Sequence, residues 1–79
     1  MVQSAGIYLE RRDPHRNMAR FYALEIRTDL FGCVVAVRRW GRIGSLGRQS
    51  SRVCSSVAAA RDEIERRAHS KRLRRYRDR

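Results

Sequence analysis

The sequence predicts an α+β fold, a single small domain in which a twisted antiparallel β-sheet packs against one C-terminal α-helix. Three observations predict it. Three β-like runs, at 20–28, 33–40 and 48–54, follow one another across short connections, which suits antiparallel pairing; parallel strands would need long crossovers. From Val57 onward the residues are good helix formers without Gly or Pro. The chain has 79 residues, enough for one core, and shows no internal repeat. The domain is assigned to residues 1–76 and a basic C-terminal tail to 77–79.

Residues 7–12 (IYLERR) alternate briefly and read as a short strand. Asp13-Pro14-His15-Arg16-Asn17 reads as a turn or loop, because Pro and Asx residues disfavour regular pairing. Residues 20–28 (RFYALEIRT) form a clearer strand, with Tyr22, Leu24 and Ile26 on one face and Phe21, Ala23, Glu25 and Arg27 on the other. Asp29-Leu30-Phe31-Gly32 supplies a hairpin connection, with Gly free to take positive φ. Residues 33–40 (CVVAVRRW) are apolar and β-branched and read as a central strand, which Gly41, Gly44 and Gly47 then break. A short strand resumes over 48–54. Ser55 or Ser56 caps the helix, whose buried stripe is Val57, Ala60, Ile64 and Ala68, with Leu73 near the end. Glu63–Arg67 and Asp62–Arg66 are favourable i,i+4 pairs. Beyond His69 the basic run KRLRRYRDR is expected to fray or follow the surface unless a polyanion orders it.

Charge is the strongest constraint on function. Nineteen basic residues stand against 8 acidic ones, a formal net charge of +11, and all the basic residues but Lys71 are Arg. A GC-rich genome would favour Arg codons over Lys but would not produce the excess of positive charge. A pI near 11.5 points to a polyanionic partner, nucleic acid before anionic membrane. Guanidinium groups grip phosphate bidentately, which the ammonium of Lys does not. Cys33 and Cys54 are far apart, with no paired ligand spacing, and His15 and His69 do not complete a zinc set. They read as small semi-buried thiols of a reduced protein, with a disulfide between them left open. No apolar run approaches 18 residues and no secretory leader is evident, so the chain reads as cytoplasmic.

The residues that carry the most information are Arg20-Phe21-Tyr22-Ala23-Leu24-Glu25, Leu30-Phe31-Gly32, and Arg38-Arg39-Trp40-Gly41-Arg42-Ile43-Gly44-Ser45-Leu46-Gly47-Arg48. In this order and spacing they resemble the WGR domain, in its short bacterial stand-alone form, over about residues 7–76. The resemblance implies a sheet packed on a helix. It also implies the role that the domain has in DNA-dependent poly(ADP-ribose) polymerases, binding damaged DNA near a strand end. There the motif Trp packs on the sugar of the terminal nucleotide, the motif Arg contacts DNA or a neighbouring domain, and residues before the aromatic pair reach the backbone. By that resemblance Trp40, Arg42, Arg20 and Asn17 are candidate DNA contacts. Arg75-Tyr76 stands where bacterial members often have Gly-Tyr, and no ADP-ribosyltransferase domain is expected in this chain.

The residues read by themselves add to this set. Trp40 can serve as packing area or as a stacking platform for an exposed base or sugar. Gly41 and Gly44 first serve backbone geometry, and their amides can approach a phosphate. Period two places Arg38, rather than Arg39, on the face of Trp40. Arg20 is expected on the face opposite Tyr22, beside the Asn17 loop, and Arg48 and Arg52 on a common face. If Arg20, Arg38, Arg42 and Arg48 gather round Trp40, they make a basic rim about an aromatic platform. Phe21 and Tyr22 read as core. Lys71, Arg72 and Arg74 belong to the basic helix end and are expected to add non-specific phosphate attraction, for about 3–6 phosphates neutralised in all.

An enzyme finds little to work with. No P-loop, dinucleotide fingerprint, metal-ligand set or nucleophile–base pair is present. The expectation is therefore a DNA-binding module for duplex ends, nicks or gaps, cytoplasmic and nucleoid-associated. It needs no cofactor, membrane or small-molecule substrate. The alternatives are a protein-interaction domain, for instance with a repair protein, or an RNA-binding module without end specificity.

Overall fold

The computed structural model describes residues 6–79; residues 1–5 of the assigned domain lie outside the described residues. The chain runs β1 (Gly6–Asp13), a 3-10 turn (Pro14–Arg16), β2 (Met18–Thr28), β3 (Val34–Arg42), β4 (Arg48–Cys54), α1 (Val57–Leu73) and β5 (Arg77–Asp78). The strands form one antiparallel sheet in the order β4-β3-β2-β1-β5, and α1 lies across one face of it.

Register explains the core. Tyr22, Leu24 and Ile26 project from β2 toward α1 and meet Leu9 of β1 and Ala36 of β3. Ala60, Ile64 and Ala68 close this core from the helix, and all of these residues are buried. The two Ala residues bring the helix backbone near the sheet. Val57 and Leu73, assigned to the same stripe from sequence, lie at the two ends of α1 and are 46% and 73% exposed. Ser56 is the N-cap: its hydroxyl accepts from the Ala59 amide at 3.1 Å.

Some expectations change. Gly41 does not break β3, which continues to Arg42 with Gly41 opposite Phe21. A Cβ on Gly41 would come within 2.7 Å of the Gly47 Cα, so glycine here serves close backbone approach. The turn itself uses Gly44 and Gly47 at φ +94° and +72°. Arg66 pairs with Glu63 at 2.6 Å and not with Asp62, since Glu63 is buried beneath the helix edge. Its carboxylate also takes Arg67 at 2.6 Å and Arg52 at 3.7 Å.

The C-terminal run is ordered, not frayed. α1 extends to Leu73, and the chain then turns back so that Arg77 and Asp78 pair with Glu10 and Leu9. A charge pair ties it down: the Arg72 guanidinium donates twice to the Asp78 carboxylate, at 2.8 and 2.7 Å. Both thiols are free, Cys33 exposed and Cys54 half-buried. Cys54 lies opposite Val34, and Cys33 lies in the connection just before β3.

Candidate nucleic-acid interface

The helix leaves one end of its sheet face uncovered, and the sheet register fills that end with cations. Trp40 lies opposite Tyr22 on β2 and opposite Arg48 on β4. One step along, Arg42 of β3 faces Arg20 of β2, which faces Arg11 of β1. Arg20 therefore shares the face of Tyr22 and Trp40, not the opposite one. The alternation of β2 begins at Met18 and is unbroken, so residues 20 and 22 keep phase. Three Arg residues directly opposite one another repel, and none of the three forms an ion pair among the described residues.

Trp40 is half-buried, its inner part resting on the core. The Arg38 guanidinium stands 4.8 Å from its ring centroid, a cation–π distance. Beside the indole is a cavity of about 340 Å³ lined by Arg20, Phe21, Trp40, Gly41, Arg42, Lys71 and Tyr76. Lys71 enters it from the last turn of α1, its ammonium 4.8 Å from the Tyr22 ring and 5.2 Å from the Tyr76 ring. Burial lowers the Lys71 pKa, and the nearby charges of Arg74, Arg38 and Arg20 lower it further. The cavity is thus aromatic on its sides, cationic at its mouth, and lined by no carboxylate.

The loops hold this arrangement. Asn17 takes a left-handed conformation at φ 50°, which Asx residues tolerate. Its carbonyl accepts from the Arg42 guanidinium at 3.4 Å. Beyond Arg42, the Ile43 amide donates to the Ala19 carbonyl at 2.9 Å, and the Ser45 hydroxyl donates to the Arg42 carbonyl at 2.7 Å. Phe21, on the opposite face, is buried beneath this turn.

Of the residues singled out from sequence, Trp40, Gly41, Arg42, Arg20 and Lys71 line the one cavity. Arg38 and Arg48 flank the indole, Asn17 is bonded to Arg42, and Arg74 is close enough to Lys71 to shift its pKa. Arg72 differs: its guanidinium is engaged by Asp78. Sequence reasoning missed Tyr76 and Arg11. Tyr76 reaches the site because α1 ends in a Schellman turn, in which the Tyr76 amide donates to the Lys71 carbonyl and the Arg75 amide to that of Arg72. The turn sets Tyr76 edge-on to Tyr22 at 6.4 Å. Basic residues followed by an aromatic at a helix end were the available signal. Arg11 needed the register.

Among the described residues no group of His, Cys, Asp and Glu could hold a metal ion, and no helix is long and apolar enough to cross a membrane. A family model described as the WGR domain matches residues 6–79. A similar protein is "Uncharacterized protein y4dW" of Sinorhizobium fredii, 52% identical over 46 residues, which are 58% of this chain and 22% of that protein. The chain thus spans about a fifth of that relative's length. No solved structure matches significantly. The chain belongs to the WGR domain family, a family of nucleic-acid-binding modules.

Proposed function

We propose that this protein recognises breaks in duplex DNA, at ends, nicks or gaps, by presenting Trp40 to the terminal nucleotide and gripping its phosphates with Arg20, Arg42 and Lys71. The observation that carries the reading is the row Arg11–Arg20–Arg42, placed opposite one another beside a half-buried indole, none of the three in an ion pair among the described residues. Like charges in that register destabilise the free protein, and a phosphate strand relieves the repulsion. A terminal nucleotide exposes a sugar and a base face that continuous duplex keeps stacked, so an aromatic wall favours broken strands. Arg38 and Arg48 attract the flanking backbone, and Arg74 adds charge at the mouth. Arg72 contributes least, because Asp78 already neutralises it.

In this reading the protein is a non-catalytic module that acts in the cytoplasm on the nucleoid, beside whatever repair enzyme handles the break. The test is binding to a nicked hairpin duplex and to the same duplex sealed and end-blocked, at two salt concentrations. Tighter binding to the nicked form at both is expected. Equal affinity at both would leave only charge-driven association and would end the claim of break recognition.

A further inference from the structure

A second cationic concavity lies at the outer edge of the sheet. It has a volume of about 400 Å³ and is lined by five arginines from β1 and the C-terminal segment, with Glu10 and Asp13. It exists because β5 covers β1 only at Leu9 and Glu10, leaving the edge beyond them open. The acids are already engaged. Glu10 is 3.3 Å from both Arg12 and Arg79, and Asp13 is 3.6 Å from Arg16. Three of the lining residues, Arg11, Arg75 and Arg77, have no ion pair among the described residues.

Arg75 holds a conformation that needs a reason. It occupies the C′ position of the Schellman turn at φ +71°, where glycine is favoured because a Cβ is strained. Favourable interaction with the helix dipole does not account for it, since Lys71, Arg72 and Arg74 already place cations on the last turn. A non-glycine residue held in this region by its surroundings points toward function.

We infer that Arg11, Arg75 and Arg77 hold a second phosphate of the strand whose broken end lies at Trp40. This rests on the reading of the Trp40 cavity given above. Arg11 belongs to both regions: it lines the edge concavity and stands opposite Arg20, which stands opposite Arg42. Two inter-strand steps separate the Cα atoms of Arg42 and Arg11 by about 10 Å, farther than one phosphate group reaches. The ligand class is therefore a polynucleotide that continues beyond its terminal nucleotide, and a free phosphate would not span both positions.

The decisive variant is Arg75→Gly. It removes the charge and relieves the strained φ, so it should raise the melting midpoint by a few °C while weakening DNA binding. On the nicked duplex the slope of log K against log salt should become shallower, and adding Arg11→Gln with Arg77→Gln should bring the total change to about 0.9, the one phosphate that the three residues hold. Arg75→Lys should retain the wild-type slope. Preference for nicked over sealed duplex should persist in Arg75→Gly and Arg75→Lys, because Trp40 and the row Arg11–Arg20–Arg42 are untouched. Wild-type affinity at every salt for Arg75→Gly would overturn the inference and leave break recognition standing. Loss of nick preference in the wild-type protein would instead defeat the Trp40 reading, while the slope changes would still report on the edge concavity.

Discussion

Replacing Trp40 with Ala separates stacking from charge. Stacking on an aromatic side chain contributes about 1–3 kcal/mol per base by Ala substitution, which is about 5- to 160-fold in affinity. That loss should fall on the nicked duplex. The sealed, end-blocked duplex offers no unstacked face, and its affinity should change less than about 2-fold, since Arg20, Arg42, Arg48 and Lys71 all remain. The substitution also has a stability cost, because the indole rests on the core and carries Arg38 at 4.8 Å. A fully buried Trp→Ala change costs about 3–5 kcal/mol. Half-burial makes it about 1.5–2.5 kcal/mol, or roughly 6–20 °C in the melting midpoint of a domain this size. Fluorescence anisotropy with both duplexes, well below that midpoint and at matched salt, gives the ratio directly. An equal loss on the two substrates would refute the reasoning, because the indole would then act only by supporting the fold.

Three further outcomes are expected. Gly47→Ala should abolish stable folding, since at φ +72° a Cβ would sit 2.3 Å from the Trp40 carbonyl oxygen and 2.8 Å from Phe21; a circular dichroism melt like that of the wild type would contradict the close approach described here. Glu63→Gln should cost about 1–2 kcal/mol by weakening the contacts to Arg66 and Arg67. Hydrogen bonding from Arg67 holds the Glu63 carboxyl below its ordinary value despite partial burial. Its contribution is therefore present above about pH 4.5 and is lost as pH falls through the lowered pKa, so acid denaturation should start at higher pH in the variant. Burial, and after it the neighbouring charges of Arg74, Arg38 and Arg20, lower the Lys71 pKa. DNA affinity should fall as pH rises through that lowered pKa, and Lys71→Arg should flatten the decline. A profile unchanged by Lys71→Arg would place Lys71 outside the interface.

Much of the fold was legible because its signals are local. Alternation in residues 20–28 marked β2 and the face of Tyr22, Leu24 and Ile26, and small residues at helical spacing marked Ala60, Ile64 and Ala68 as the face that α1 buries. The motif around Trp40 pointed to the site for the same reason, since its aromatic, glycine and arginine residues are contiguous. Less legible were β5 and the end of α1. A two-residue strand has no periodicity to read, and it forms here because Arg72 engages Asp78 and β1 offers an open edge.

Composition and short-range period, which are properties of neighbours along the chain, were enough for β1 to β4, α1, the excess of positive charge and the placing of an indole beside a guanidinium. Which cations act together follows from the arrangement of the strands in space. Antiparallel register set Arg11, Arg20 and Arg42 in one row, residues that are 9 and 22 positions apart in sequence. The reversal after α1 brought Tyr76 and Lys71 over that row and gave Arg72 an internal partner. Those outcomes depend on how strands slide and helices end, and the electrostatic energy of a charge depends on what surrounds it in space.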